Sequence, residues 1–211
     1  MSFNGVAPDL CCEPAPDLHS DGIALAFVNT ACPDAACSPE LHDFRDMLQM
    51  LRAVRAIDQE TERRLRFQRG STRDAEAAGK AVLVFRGVIA DALEALKSGA
   101  ALPVTTVNQI NKELSVCGCA RKLVRDGNVY RIITIFQINK PTDVLMPIAH
   151  SIAELLTSVD RSRVKQCREP RCSCYFVDTS KNRTRTWCSM QRCGNRHKVA
   201  NYYRRARENA S

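Results

Sequence analysis

The sequence lacks the features of an exported or membrane-spanning protein. Its first twenty residues contain no basic segment followed by the roughly seven or more apolar residues of a secretory signal peptide. The chain also has no stretch of the roughly 18 uninterrupted apolar residues that a membrane span requires. The sequence therefore predicts a cytoplasmic protein without membrane contact.

Side chains arranged for catalysis are also scarce. The four histidines are scattered along the chain with no recognisable motif around them: His19, His42, His150 and His197. An enzyme would need a nucleophile beside a base, or an acid paired with a base. We therefore expect a protein that is not an enzyme.

Cysteine, by contrast, is abundant, with 11 residues in 211. In a reducing compartment such thiols stay free or bind a metal ion. Five of them crowd the segment 167–193, and the other six are Cys11, Cys12, Cys32, Cys37, Cys117 and Cys119. Redox sensing by these six would need exposed thiols of lowered pKa, which the sequence does not reveal, so we expect them to be inert.

Positive charge is concentrated at the same end of the chain. Residues 161–211 contain 14 lysines and arginines against 3 acidic residues, whereas residues 1–160 contain 17 against 20. A basic surplus confined to one small module is typical of proteins that bind a polyanion. The other interpretation is a solvated basic tail.

Hydrophobic periodicity predicts an α+β, mostly α-helical fold in three parts. Residues 1–20 are irregular, 21–160 form a helical domain with a small β-hairpin, and 161–211 form a small ββα-like module. No Gly/Ser-rich linker separates the last two, so we expect them to be held in a fixed relation.

Several elements of the helical domain are predicted individually. The segment 22–30 fits either a buried strand or a helix. One long amphipathic helix is expected from Pro39 to about Leu65 and a second from about Ala75 to Ser98. A shorter helix (104–114), a hairpin of strands 120–125 and 129–137, and a third long helix after Asp143 follow.

The chemistry of the last part lies in two matched thiol pairs. Cys167 and Cys172 form one C-x4-C pair and Cys188 and Cys193 a second, with 15 residues between them. Two such pairs can hold one tetrahedral ion. We expect one structural Zn²⁺, since the basic surroundings and the absence of an electron-transfer context disfavour an iron–sulfur cluster. Cys174 competes with Cys172 for the second position, although the matching spacing favours Cys172.

The residues between and after the pairs predict the rest of the module. Strands 175–178 and 185–187 are expected to form a hairpin with Trp187 as its core. Asn195 is expected to cap a helix that runs to about Ala206, with Val199, Tyr202 or Tyr203, and Ala206 facing inward.

This helix and its surroundings provide the candidate DNA contacts. Lysine and arginine neutralise phosphates, and arginine or asparagine can reach base edges. The candidates are Arg183, Arg185, Arg192, Asn195, Arg196, Lys198, Asn201, Arg204, Arg205 and Arg207. The same charge would also suit an RNA-binding or protein-docking module, and Tyr175, Tyr202 and Tyr203 could stack on unpaired bases, although core packing is expected for at least two of them.

The run from Cys167 to Arg207 resembles the CGNR zinc finger. It contains Cys193-Gly194-Asn195-Arg196, the preceding Trp187-Cys188-Ser189-Met190, Phe176-x-Asp178-x-Ser180, and Lys198. The rest resembles the ABATE domain that accompanies this finger in bacterial stress-induced transcription regulators, most clearly at Phe27-Val28-Asn29-Thr30.

The resemblance implies that Cys167, Cys172, Cys188 and Cys193 bind zinc and that the finger binds double-stranded DNA in the bacterial nucleoid. A small-molecule effector pocket around Phe27 and Asn29 is one expected role of the N-terminal domain, and the other interpretation is that Asn29 caps a helix or satisfies a turn. A homodimer is also expected, because one small finger buries too little surface for tight specific binding.

Overall fold

The computed structural model describes residues 22–34, 40–67, 72–116 and 118–208. The predictions for the segment 1–20 and for Cys11, Cys12, Cys37 and Cys117 fall outside these ranges. Within them the α-helices and strands occur in this order: α1 Ile23–Asn29, α2 Phe44–Ala53, α3 Gln59–Phe67, α4 Thr72–Ser98, α5 Val104–Leu114, β1 Cys119–Asp126, β2 Val129–Phe136, α6 Leu145–Ser158, β3 Val164–Gln166, β4 Tyr175–Val177 and α7 Asn195–Glu208.

The 27-residue helix α4 lies at the centre of the helical domain. It packs against α1, α2, α5 and α6. Its buried side chains recur every three or four residues, as in Val82, Phe85, Ile89 and Leu93, which confirms the predicted apolar stripe. Along the part of the chain that the structure describes, none of the helices combines the length and apolar character needed to cross a bilayer.

The segment that fitted either a strand or a helix is helical. Helix α1 is buried over Ala24 to Asn29 and packs between α6 and α4. The Ala24 backbone N–H at its start donates to Ser151 Oγ at 3.0 Å. The apolar residues of α1 therefore contact the core on all sides, which is why no periodicity is visible in them.

The prediction of one long helix from Pro39 to Leu65 is wrong, because the helix is interrupted by a turn between α2 and α3. Arg55 adopts a left-handed conformation with φ of 59°, and the Asp58 carboxylate accepts from the Thr61 backbone N–H at 2.7 Å where α3 begins. Leu65 lies 11 residues after Val54, which is close to three helical turns. The spacing of these two apolar residues therefore does not reveal that the helix is interrupted between them. The turn lets both Leu51 and Leu65 be buried.

The hairpin of the helical domain is confirmed. β1 and β2 pair antiparallel from Cys119 opposite Phe136 to Asp126 opposite Val129. Gly127 adopts a φ of 60° in the connecting turn, a conformation that favours glycine. The α5 and α6 helices also lie where the sequence predicts them.

The small sheet of the finger differs from the prediction. β4 (Tyr175–Val177) pairs with β3 (Val164–Gln166), not with residues 185–187. The loop that follows β4 is organised by the Asp178 carboxylate, which accepts from the backbone N–H groups of Ser180 and Arg185. A side chain thus takes the place of the expected strand ladder.

Candidate metal centre and basic helix

Four buried thiols converge in the finger. The sulfurs of Cys167, Cys172, Cys188 and Cys193 all lie within 4.8 Å of one another. Cys188 Sγ is 3.6 Å from both Cys172 Sγ and Cys193 Sγ. A tetrahedral ion with metal–sulfur bonds of about 2.3 Å places its sulfurs about 3.8 Å apart, so these four residues fit a zinc tetrathiolate.

Two tight turns present these thiols. In the first, the Cys172 backbone N–H donates to the Glu169 carbonyl at 2.8 Å. In the second, the Ser189 side chain accepts from the Arg192 backbone N–H, and the chain passes through a π-helical turn, Met190–Gly194, directly into α7. A Cβ on Gly194 would lie 2.5 Å from Met190 Sδ and 3.3 Å from Trp187 Cδ1, so only glycine fits without displacing them.

Hydrogen bonding and burial shift the pKa values of the clustered thiols. Hydrogen bonding with Cys167, Cys172 and Cys174 raises the pKa of Cys188, and burial raises the pKa of Cys193 to about 12. Hydrogen bonds from Cys167, Cys174 and Cys188 lower the pKa of Cys172. A bound divalent ion would displace the protons and neutralise thiolates that the buried site cannot hold together alone.

Two further buried thiols adjoin this set. Cys174 is fully buried immediately before β4, and Cys32 is buried after α1 in the helical domain. Cys32 Sγ lies 3.9 Å from Cys172 Sγ. Cys32, Cys172 and Cys174 form a second convergent group. The sequence analysis did not associate Cys32 with the finger, because nothing in its spacing points to a segment 140 residues away.

Asp178 is the buried acid of the finger. Burial opposes its ionisation, but hydrogen bonds from Lys165 Nζ at 2.6 Å, from Ser180 and from the Arg185 backbone N–H outweigh burial and hold its pKa well below the usual range. Lys165 Nζ also donates to the Arg183 and Arg185 carbonyls. This network fixes the loop that leads to the second thiol pair.

Two predicted DNA contacts take part in that loop. Arg185 is half-buried, lies over the Phe176 ring at 4.7 Å and donates to the carbonyls of Val177, Trp187 and Cys188. Arg183 donates to Ser162 Oγ and pairs with Asp160 at 3.0 Å. The structure therefore gives both arginines contacts within the protein.

Arg196 joins the finger to the helical domain. It pairs with Asp34 and lies 4.0 Å from Glu169, the acid in the first cysteine turn. A cleft of about 420 Å³ lies beside this ion pair and is lined by Pro33, Asp34, Arg171 and Arg196. Arg196 is thus half-buried on the domain boundary.

Helix α7 holds most of the other predicted contacts and projects from the finger. The described span of α7 has no buried residue. Of the predicted contacts on α7, those that are exposed are Asn195, Lys198, Arg204, Arg205 and Arg207, whereas Asn201 and, before the helix, Arg192 are half-buried. Asn201 contacts the His197 ring nitrogen at 2.9 Å and accepts from Arg204 at 3.3 Å.

Two expectations about α7 are wrong. Val199, Tyr202 and Tyr203 do not face inward but are 55%, 69% and 62% exposed, and Ala206 is exposed as well. Asn195 does not cap the helix, because Ser189 begins the helical run six residues earlier and Asn195 already has helical backbone angles. Trp187 is only partly buried and packs on the His197 ring at 4.6 Å, so the thiols and Phe176 form most of the core.

The motif around Asn29 also contacts the finger. Asn29 is buried, its Nδ2 donates to the Tyr175 carbonyl at 2.9 Å, and its Oδ1 accepts from the Tyr175 backbone N–H at 2.7 Å. Phe27 is fully buried in the hydrophobic core. Asn29 thus pairs with β4 as a neighbouring strand would. An effector pocket at Phe27 and Asn29 stays a prediction.

Replacing Asn29 with alanine tests this contact. We expect the variant to lose about 1–3 kcal/mol of stability, because the Tyr175 backbone donor and acceptor lose their partner at a buried site. Hydrogen exchange at residues 175–177 should become faster. Asn108→Ala, on the exposed face of α5, is the matched control and should change neither quantity. Equal stability and exchange in both variants would show that the Asn29 pairing does not join the two parts.

Two family models match the chain. The ABATE model, described as "Putative stress-induced transcription regulator", matches residues 21–159. The CGNR zinc finger model matches residues 163–206. These matches confirm the resemblance seen in the sequence. The comparison with curated protein sequences finds no match.

Proposed function

Because the chain belongs to the ABATE family, whose model is described as "Putative stress-induced transcription regulator", and carries a CGNR zinc finger, we propose that it is a zinc-dependent regulator that binds double-stranded DNA through α7. Cys167, Cys172, Cys188 and Cys193 would hold one Zn²⁺. Four thiolates leave no open coordination position, so the ion is structural and the proposal includes no catalytic turnover.

The observation that carries this proposal is the exposure of α7 together with its charge. None of the residues that the structure describes in this helix is buried, and its exposed cations are Lys198, Arg204, Arg205 and Arg207. The helix begins two residues after Cys193, so the metal fixes where it starts. An exposed, basic helix of 14 residues has the dimensions of a major-groove reader.

The predicted contacts divide into two groups on this proposal. Lys198, Asn201, Arg204, Arg205 and Arg207 lie on α7 itself, and Arg192 and Asn195 lie where the helical run starts. Arg183, Arg185 and Arg196 bind Ser162, backbone carbonyls of the finger loop and Asp34 at the domain boundary. We assign the first group to DNA and the second to holding the finger together.

The remaining parts of the proposal concern partners and location. The protein acts in the bacterial cytoplasm at the nucleoid. A homodimer would present two helices to two half-sites, since one finger buries too little surface for tight specific binding. The helical domain would respond to an effector by changing how α7 is presented.

The test is a salt titration of DNA binding with the zinc-loaded full chain. We expect log K to fall linearly with log salt, and Arg204→Ala/Arg205→Ala to reduce the slope by about 2, because each phosphate contact contributes about 0.9. Arg63→Ala/Arg73→Ala removes the same charge from exposed positions of α3 and α4 and should leave the slope unchanged.

A chelated sample completes this experiment. Removal of zinc should abolish binding, because α7 loses its support. Equal slopes for the two double variants, or DNA binding that survives chelation, would contradict the proposal.

One observation favours a second candidate function. Tyr202 and Tyr203 were expected to be partly in the core, yet both are exposed, with their rings 5.7 Å apart. Exposed aromatic rings beside arginines suit stacking on unpaired bases, as in a single-stranded RNA-binding module. Tyr202→Ala/Tyr203→Ala should then weaken binding to single-stranded RNA and leave binding to duplex DNA intact.

A further inference from the structure

The structure places three buried thiols where the helical domain meets the finger. Cys32 follows α1, while Cys172 and Cys174 belong to the finger. They are 5%, 7% and 0% exposed, and their sulfurs lie within 4.8 Å of one another. Cys172 is common to this group and to the four-thiol set, so the two groups share one sulfur.

The chemistry of this group differs from that of the zinc site. It contains three sulfurs and, among the described residues, no histidine or carboxylate. Zinc in structural sites takes four ligands, whereas a soft ion of low coordination number accepts fewer thiolates, and Cu(I) is the biological ion of that kind. Burial also keeps water from serving as a fourth ligand.

The separation of Cys32 Sγ and Cys172 Sγ agrees with such an ion. Three sulfurs around a planar trigonal centre with bonds of about 2.3 Å lie about 4.0 Å apart. The observed separation of Cys32 Sγ and Cys172 Sγ is 3.9 Å. We propose that Cys32, Cys172 and Cys174 bind one Cu(I) ion, with Cys172 bridging it to the zinc ion. Binding releases the thiol protons of Cys32 and Cys174 and involves no change of oxidation state.

Such an ion would link the two parts of the chain covalently through metal–sulfur bonds. Cys32 lies between two contacts with the finger, Asn29 with Tyr175 and Asp34 with Arg196. A bound ion would hold this segment against the turn that contains Cys172. The site thus identifies the chemical class of the proposed effector, which is a thiophilic monovalent ion. This regulatory role rests on the proposed function, and the ion site itself rests on the thiols alone.

The experiment uses the full zinc-loaded chain with Cys11, Cys12, Cys37, Cys117 and Cys119 replaced by serine, so that only the six thiols of the finger region remain. Cu(I), supplied as a complex with a competing chelator under anaerobic conditions, is titrated in. Zinc and copper are then counted after gel filtration. We expect one zinc and one copper ion per chain, with metal–sulfur charge-transfer absorption.

Variants of the two unshared thiols test the ligand set. Cys32→Ser, and separately Cys174→Ser, should each keep one zinc ion and weaken copper binding at least tenfold. The retained zinc reports that the finger is folded, and Cys32→Ala should behave like Cys32→Ser. Copper uptake that expels zinc one for one, or that survives in both variants, would overturn the inference. Absence of zinc from the parent chain would instead contradict the proposed zinc site.

Discussion

The Cys188→Ser chain is expected to lose its zinc ion and to unfold over residues 163–208 while the helical domain stays folded. Cys188 is in contact with two other thiols of the set at 3.6 Å, and serine does not replace a thiolate ligand. Structural zinc contributes about 10–16 kcal/mol to the folding of small fingers. The apolar core of this finger is mostly cysteine, with Phe176 and the partly buried Trp187 beside it, so it cannot replace that contribution.

Three measurements check this result. Zinc content should fall from one ion per chain to none, hydrogen exchange should become fast over β3, β4 and α7, and DNA binding should be lost. Helical circular dichroism should decrease only by the share of α7. The control is Cys119→Ser, which removes an exposed thiol in β1 and should keep one zinc ion and normal exchange. A Cys188→Ser chain that keeps its zinc would show that Cys174 or Cys32 substitutes for the lost ligand.

The four-thiol set was predictable from the sequence because the two cysteines of each pair lie close together along the chain. Cys167 with Cys172, and Cys188 with Cys193, are each brought together by one turn, so their spacing contains the information needed. The α4 stripe and the β1–β2 hairpin were predictable for the same reason, since periodicity and turn residues act over a few positions. The family models agree with this architecture.

The sequence did not predict which arginines form contacts within the protein. Composition reveals that residues 161–211 carry a large positive charge, but not which cations find acceptors within the protein. Arg185 contacts three backbone carbonyls and Arg196 contacts Asp34, and both acceptor sets are arranged only when the chain folds. Counting charge therefore overestimates the number of side chains available to DNA.

The sequence also did not predict the contacts between the two domains. Asn29 meets Tyr175 at a separation of 146 residues, and Cys32 meets Cys172 at 140. Neither pair shares a periodic pattern. Asn29 was expected to line an effector pocket, or else to cap a helix or satisfy a turn, and the structure shows that its side chain pairs with a strand of the finger.

The β3–β4 pairing was missed for a related reason. Residues 175–178 have the composition of a strand, but composition does not identify the partner strand. Asp178, directly after β4, accepts from the backbone N–H groups of Ser180 and Arg185, so the Arg185 N–H bonds a side chain and does not enter a strand ladder. The same acid leads to the second large effect.

Replacing Asp178 with alanine is expected to destabilise the zinc-loaded finger by about 3 kcal/mol, the lower end of the range for breaking a buried ion pair. Asp178 is fully buried, whereas its partner Lys165 is 28% exposed and can regain water. Chemical unfolding of the zinc-loaded chain measures the loss. Glu154→Ala, which removes an exposed acid from α6, is the control and should change stability little.

The pH dependence of this loss has a definite sign. Because the folded pKa of Asp178 is lowered, its carboxylate stabilises the fold fully above the unfolded pKa of about 3.9, and this contribution is lost only as the pH falls through the lower folded value. The difference in stability between the parent chain and Asp178→Ala should therefore be constant from about pH 8 to about pH 5.5. Zinc release by protonation of the thiolates affects both chains and cancels in the difference. A stability difference that shrinks toward pH 5.5 would mean that Asp178 becomes protonated in that range. The hydrogen bonds from Lys165, Ser180 and Arg185 would then not lower its pKa.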